Sequence, residues 1–150
     1  MKYNHIVSVS SLVVNQENKV LLVKHPIRGW HCPSGFVNSH ESIQEAMKRI
    51  VQEEVGIDVR LVDLVGVNKD VTFANVNIDF ISRYDGDCDC VEGNHQEVGW
   101  FSKDEVMRMV KEGYVHETVQ NMLFYRGQVA CWDFKKSPFE MIVKDIYPKH

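Results

Sequence analysis

Two adjacent carboxylates, Glu53 and Glu54, close the run GFVNSHESIQEAMKRIVQEEVG that begins at Gly35. Within it Ile43, Ala46, Met47, Ile50 and Val51 recur at i, i+3, i+4, i+7 and i+8, the period of a helix that buries one face. Ser42, with Glu45 three residues on, has the form of a capping box. Gly56 suits the left-handed residue that ends a helix. The spacing therefore predicts a helix between Ser42 and Gly56. At roughly 100° per residue Glu54 projects within about 20° of Ile43, in the middle of the apolar stripe. Glu53 falls at the edge of that stripe. Acids in a last turn oppose the helix dipole, at about 0.3–1 kcal/mol each, and neighbouring carboxylates repel. A divalent cation would relieve all of these penalties. Adjacent carboxylate oxygens suit Mg²⁺ or Mn²⁺, hard ions that keep water and phosphate oxygens as further ligands. The alternative is a helix end that protrudes past the core with both glutamates solvated.

The rest of the chain must position that helix. Its 150 residues fit one domain, 1–150, with room for a substantial core. A hydrophobic fraction of 44% and a charged fraction of 25% are ordinary for a globular protein. The net charge of −4 speaks against a nucleic-acid polymer as partner, while a few local cations and a metal ion would suffice for a nucleotide. No apolar run reaches the roughly 20 residues of a membrane span. The start, MKYNHIVSVSSLVV, has one Lys and no small-residue cleavage site, so no signal peptide is expected. Of four cysteines only Cys88 and Cys90 are close in sequence. That spacing supports neither a disulfide framework nor a zinc site, and it suits reduced thiols in the cytoplasm.

Apolar, β-branched segments at 5–14 and 19–24, joined by the polar turn NQEN, predict a hairpin. HPIRGWHCPSG reads as a loop. Strands are expected at 59–67 and 76–84, the latter alternating Val76, Ile78 and Phe80 with Asn77 and Asp79. DGDCDCVEGNHQ reads as an acidic loop, and EVGWFS as a short strand leading into a helix capped by Ser102 and Glu105 and stopped at Gly113. A helix over 116–126, a strand at VACWDF and a last helix capped at Ser137-Pro138 complete the expectation. Strands interleaved with helices indicate an α/β domain.

Gly35, Glu41, Arg49, Val51, Glu53, Glu54, Gly56 and Ile57 stand at the spacing Gly, five residues, Glu, seven residues, Arg-x-apolar-x-Glu-Glu-x-Gly-apolar. This resembles the signature of the Nudix hydrolases, here spanning residues 35–57. A preceding hairpin, Trp30-x-x-Pro33 and the later QEVGWFSKDEV agree with it. The resemblance covers roughly residues 5–112 and leaves a C-terminal extension, 116–150, expected to pack on the domain. It implies a Nudix-like α/β/α sandwich, with a mixed β-sheet between helices and the motif as loop–helix–loop. It implies hydrolysis of a nucleoside diphosphate linked to another moiety, a small nucleotide-derived substrate, with water as nucleophile and Mg²⁺ or Mn²⁺ as cofactor. Glu53 and Glu54 would be metal ligands and catalytic, aided by the backbone carbonyl near Gly35. Glu41 and Arg49 would pair and, with Gly56, support the motif. Water acidified by a metal needs no covalent nucleophile. The general base would be a further loop carboxylate, Glu97 first and Glu92 second, each of which also reads as an ordinary surface acid.

Ile50 occupies the one defined position where the family has Glu. Isoleucine neither ligates a metal nor activates water, and it completes the apolar stripe instead. Ser34, Asn38 and His40 also differ from residues often found there. His40 reads either as a compensating ligand or base or as an exposed loop histidine. Two functions stay open: a metal-dependent pyrophosphohydrolase with an altered site, or a degenerate member that binds a nucleotide-like ligand or a partner protein without efficient turnover. Trp30, Phe73 and Trp100 are candidates to stack on a base, with burial in the core as the alternative. The C-terminal stretch with Trp132, Phe134 and Phe139 is expected to cover either the domain's own sheet or that of a partner, the latter as a homodimer.

Overall fold

A computed structural model describes residues 2–88, 91, 93, 96–111 and 113–149. Strands β1 (Ile6–Val14) and β2 (Val20–His25) form the expected antiparallel hairpin, with Val14 opposite Val20. Two short strands follow, β3 (Gly29–His31) and β4 (Ser34–Phe36), then helix α1 (Ile43–Val55). Strands β5 (Arg60–Asp70) and β6 (Asn75–Arg83) pair antiparallel, and β7 (Val98–Phe101) leads into α2 (Lys103–Met109). Helix α3 (Gly113–Leu123) and the strands β8 (Val129–Lys135) and β9 (Glu140–Tyr147) close the chain. The strands form one mixed sheet in the order β3-β2-β1-β6-β5-β8-β9, with β4 on β1 and β7 on β2. Strand β1 runs parallel to β6, and β5 parallel to β8.

The period-two alternation of side chains decides which helix each residue meets. In β1, Val9 and Val13 join Met47, Ile50 and Val51 of α1. Leu12 and Val14, one residue out of phase, join Val106 of α2 and Val119 and Met122 of α3. Strand β2 repeats this: Leu21 and Val23 face α1, Val20 and Leu22 the other layer. Helices therefore cover both faces, and the fold is the expected α/β/α sandwich.

Five elements, β3, β4, α2, α3 and β9, differ from the sequence-based expectation. The Gly- and Pro-containing segment read as a loop holds β3 and the start of β4, which pair with β2 and β1. Three-residue strands are too short to show a period. Helix α2 ends at Met109, with Val110 as its extended C-cap. Gly113, at φ 65°, opens α3 rather than closing α2. No helix begins at Ser137. Pro138 lies in the turn between β8 and β9, and EMIVKDIY is an edge strand paired antiparallel to β8. The 116–150 segment thus extends the sheet through β8.

Candidate active site

Helix α1 is punctuated as its sequence suggests, with one difference. The Ser42 hydroxyl accepts the Glu45 N–H at 3.1 Å, but only α2 closes the reciprocal box, between Ser102 and Glu105. At the other end Gly56 adopts φ 69°, and its N–H donates to the Gln52 carbonyl. An L side chain would be strained at that φ.

Arg49 ties the motif together. Its Nε and Nη2 donate to the two oxygens of Glu41 at 2.7 and 3.0 Å, a bidentate pair. Nη2 also donates to the Phe36 carbonyl at 2.8 Å, and Nη1 to Glu53 at 3.1 Å. One guanidinium therefore holds β4, the loop before α1 and the last turn of α1 in one arrangement. The Arg49 hydrogen bonds hold the Glu41 carboxyl below the usual carboxylate range. Arg49 also supplies part of the positive charge that Glu53 needs in its unfavourable position.

Glu54 has no such partner. It is half-buried, and its Oε2 is sealed from solvent without a hydrogen bond. Burial pushes its carboxyl up to about 7, against the pull of the Arg28 charge and with a further push from Glu53. Arg28 is exposed at the turn between β2 and β3. It is a site residue that the sequence reading missed, since a single Arg in a Gly/Pro segment carries no period.

Ile50 is 4% exposed and belongs to the α1 core. It fills the space left by the missing side chain of Gly35: a Cβ at Gly35 would lie 2.9 Å from Ile50 Cδ1. Where the signature has a carboxylate, this chain has a methyl group seated against β4. Among the described residues no group of three or more His, Cys, Asp or Glu gathers as a metal cage. Glu97 is exposed and sits 3.9 Å from Lys24, making no hydrogen bond or ion pair to Glu54. Glu92 lies outside the described residues. His40 and Asn38 are exposed. Cys32, Cys88 and Cys131 are free thiols, and Cys90 lies outside the described residues.

A cleft of about 740 Å³ opens on the sheet face away from α1, and Arg28, Ser34, Gly35 and Phe36 reach it at the β4 edge. Its floor is polar. Ser8 and Ser10 of β1, Asn75 and Asn77 of β6, and Asn68 and Asp70 of β5 share this face. Beneath them Asp79 is fully buried and accepts from Ser10, Asn77 and Asn68 at 2.5, 2.6 and 3.4 Å. Burial pushes its carboxyl up to about 7 against those three hydrogen bonds. Gly66 stands opposite Asp79 in register, where a Cβ would crowd the Ala130 carbonyl at 3.1 Å. Helix α3 forms the opposite wall. Of the candidate stacking residues, Phe73 and Trp30 line the cleft. Trp100 instead stacks on Tyr84 beside the α1 core.

Comparison with known proteins agrees with this geometry. The Nudix domain family model matches residues 4–120. A MutT-like protein from Streptomyces ambofaciens is 31% identical over 111 residues, 73% of this chain and 72% of that protein. An ADP-ribose pyrophosphatase from Methanocaldococcus jannaschii is 36% identical over 59 residues, 37% of this chain and 35% of that protein. The crystal structure of a Nudix hydrolase from Nitrosomonas europaea superposes with a TM-score of 0.72 at 27% identity, covering 87% of this chain and 77% of that one. A MutT protein from Bacillus halodurans shares the fold, with a TM-score of 0.69 at 24% identity over 97% of this chain and 99% of that one. The chain belongs to the Nudix family of hydrolases. Strands β8 and β9 lie beyond the matched segment. No helix among the described residues is long and apolar enough to cross a membrane.

Proposed function

We propose that this chain hydrolyses the pyrophosphate bond of a nucleoside diphosphate linked to another moiety, with Mg²⁺ or Mn²⁺ as cofactor, in the cytoplasm. The observation that carries the reading is the half-buried Glu54 carboxylate next to Glu53, with one oxygen sealed from solvent and lacking a hydrogen bond. A sealed, unpartnered carboxylate oxygen is costly. Hard oxygen donors in this number fit an ion that completes its shell with water and phosphate oxygens. Glu53, Glu54 and the Gly35 carbonyl would hold it. When bound, it would neutralise the diphosphate and acidify a water molecule. Arg49 fixes the orientation of Glu53, and the Arg28 guanidinium meets the phosphates where the cleft reaches the β4 edge. Glu97 is assigned to take the proton from the attacking water.

A panel of nucleoside diphosphate sugars, ADP-ribose, dinucleoside polyphosphates and oxidised nucleotides tests the reading, each with Mg²⁺ or Mn²⁺ and with the phosphorylated cleavage products, separated by chromatography, as readout. Turnover of at least one that is lost in Glu54→Gln is expected. No turnover of any would sink it.

One observation favours the second reading, a domain that binds without efficient turnover: Ile50 is seated on Gly35. Ile50→Glu separates the two readings. In a weakened version of the family's site it raises turnover, and in a non-catalytic domain it raises nothing.

A further inference from the structure

The cleft carries a charge of the opposite sign to the chain's. The net charge is −4, yet three cationic side chains line the cleft, Arg28, Lys111 and Lys136, against one carboxylate, Asp70, among the described residues. Asp79 lies beneath the floor, occupied by its three donors. None of the three cations makes an ion pair among the described residues. Cations close by do find partners. Lys144, on β9 beside β8, meets Glu117 at 2.6 Å and Asn121 at 2.7 Å.

Lys136 is held in place by three elements. It is half-buried and opens the turn after β8. Its N–H donates to Thr72 Oγ1 at 3.3 Å, and the Val71 N–H donates to the Phe134 carbonyl at 2.9 Å. The β5–β6 turn is thereby tied to the end of β8. The Lys136 ammonium stands 5.6 Å from the Phe73 ring of that turn and 5.1 Å from the Tyr114 ring of α3. Tyr114 is itself stacked on Phe134, with centroids 5.3 Å apart. The two rings attract and orient the ammonium, but they are not a counter-ion, and a half-buried cation without one is electrostatically unmet. An ammonium already fixed in position loses little freedom when it meets a ligand. Arg28 enters from the other end of the cleft, at the β2–β3 turn. From β2 over β1, β6 and β5 to β8 there are four strand spacings, about 19 Å. A single diphosphate is too short to meet both cations.

We infer that Lys136 marks a second anion subsite, which takes a phosphate or carboxylate carried elsewhere on the ligand whose diphosphate lies at Arg28. The substrate class is then narrower than a nucleoside diphosphate linked to any moiety: it is one with two separated anionic centres. Lys136 lies beyond residues 4–120 matched by the family model, in the segment that contributes β8 and β9. The subsite is therefore a property of this chain's own C-terminal strands. The diphosphate end of the ligand rests on the pyrophosphohydrolase reading, whereas recognition of the second anion is testable without turnover.

Three pairs of ligands that differ in one anionic group test the inference: NADP and NAD, coenzyme A and dephospho-coenzyme A, UDP-glucuronate and UDP-glucose. Each is titrated into the full chain without added metal and followed by amide chemical shifts. In at least one pair the member with the extra anion is expected to bind about ten-fold or more tightly, the gain of a hydrogen bond between charged groups. The pair that shows it distinguishes a phosphate on the ribose from a carboxylate on the linked moiety. Lys136→Met keeps most of the stem between the rings and removes the charge. It should abolish the gain and leave the affinity of the other member unchanged, whereas Lys136→Arg should keep the gain. Equal affinities within all three pairs, or a gain that survives Lys136→Met, would overturn the subsite. If Lys136→Met does not fold, the wild-type pairs still decide. Turnover of diphosphates with no preference within any pair would overturn this inference and leave the hydrolase. A preference within a pair, with no turnover of any diphosphate once metal is added, would do the reverse.

Discussion

The two faces of strand β6 treat burial in opposite ways. Phe80, 7% exposed, joins the apolar layer under α1. Asp79, its neighbour, is 0% exposed and lies on the opposite face, beneath the cleft floor, bonded to Ser10, Asn77 and Asn68. The same strand buries one residue by excluding water from hydrocarbon and the next by saturating a carboxylate with donors. The contrast continues in β1. On the cleft-side face Leu12 and Val14 are core, whereas Ser8 and Ser10, nearer β4, are floor. Here burial does not separate core from site. What separates them is whether the buried groups are apolar or hydrogen-bonded polar.

Substitutions at these neighbours break the comparison most strongly. Phe80→Ala should cost roughly 3–5 kcal/mol, from lost transfer energy and a cavity. Asp79→Ala should cost about 2–4 kcal/mol, because Ser10, Asn77 and Asn68 lose their common acceptor. Urea unfolding measures both. An Asp79→Ala variant as stable as wild type would show that the donors find water.

The faces should also differ in their response to pH. The folded Asp79 carboxyl is raised to about 7, above its unfolded value, so its contribution is present at low pH and is lost as pH rises. Unfolding free energy should fall between about pH 4 and pH 7 by something on the order of a few kcal/mol. Asp79→Asn should reduce that slope, with Glu54, also raised to about 7, supplying the remainder. A slope unchanged in the variant would assign it elsewhere. Phe80→Ala should lower stability equally across this range.

The smallest effect is expected at the Glu41–Arg49 pair, which is partly exposed. Glu41 is held below its ordinary range, so its contribution exists at neutral pH and disappears on acidification. Arg49→Lys keeps the charge but loses the bidentate fork. It should leave stability nearly unchanged and lower kcat through Glu53. A drop in stability larger than that of Asp79→Ala would reverse the ranking.

Helix α1 and its caps were legible because a helix writes its buried face and its ends into 3.6-residue spacing, whereas the Glu41–Arg49 pair was legible only through the resemblance to the family signature. The alternation Asn77, Ile78, Asp79, Phe80 was equally visible. That the polar phase is buried was not, because burial of Asp79 depends on β1 and β5, distant in sequence. The arrival of Arg28 beside Glu54 depends likewise on how β2 and β3 turn. Ser137-Pro138-Phe139-Glu140 reads locally as a helix start, and only pairing with β8 makes the following segment a strand. The exposed Glu97 carboxylate shows the same limit: its position before β7 was legible, its pairing with Lys24 was not.

The central claim is that the partnerless oxygen of Glu54 marks a divalent-cation site, on the motif's side of the sheet rather than the polar floor's. Calorimetric titration of Mg²⁺ and Mn²⁺ into wild type, Glu54→Gln and Asp70→Asn tests this directly. Wild type and Asp70→Asn should bind alike at millimolar concentration or below, with at least about ten-fold weaker binding in Glu54→Gln. No binding by wild type at millimolar metal, or binding unaffected by Glu54→Gln, would contradict it.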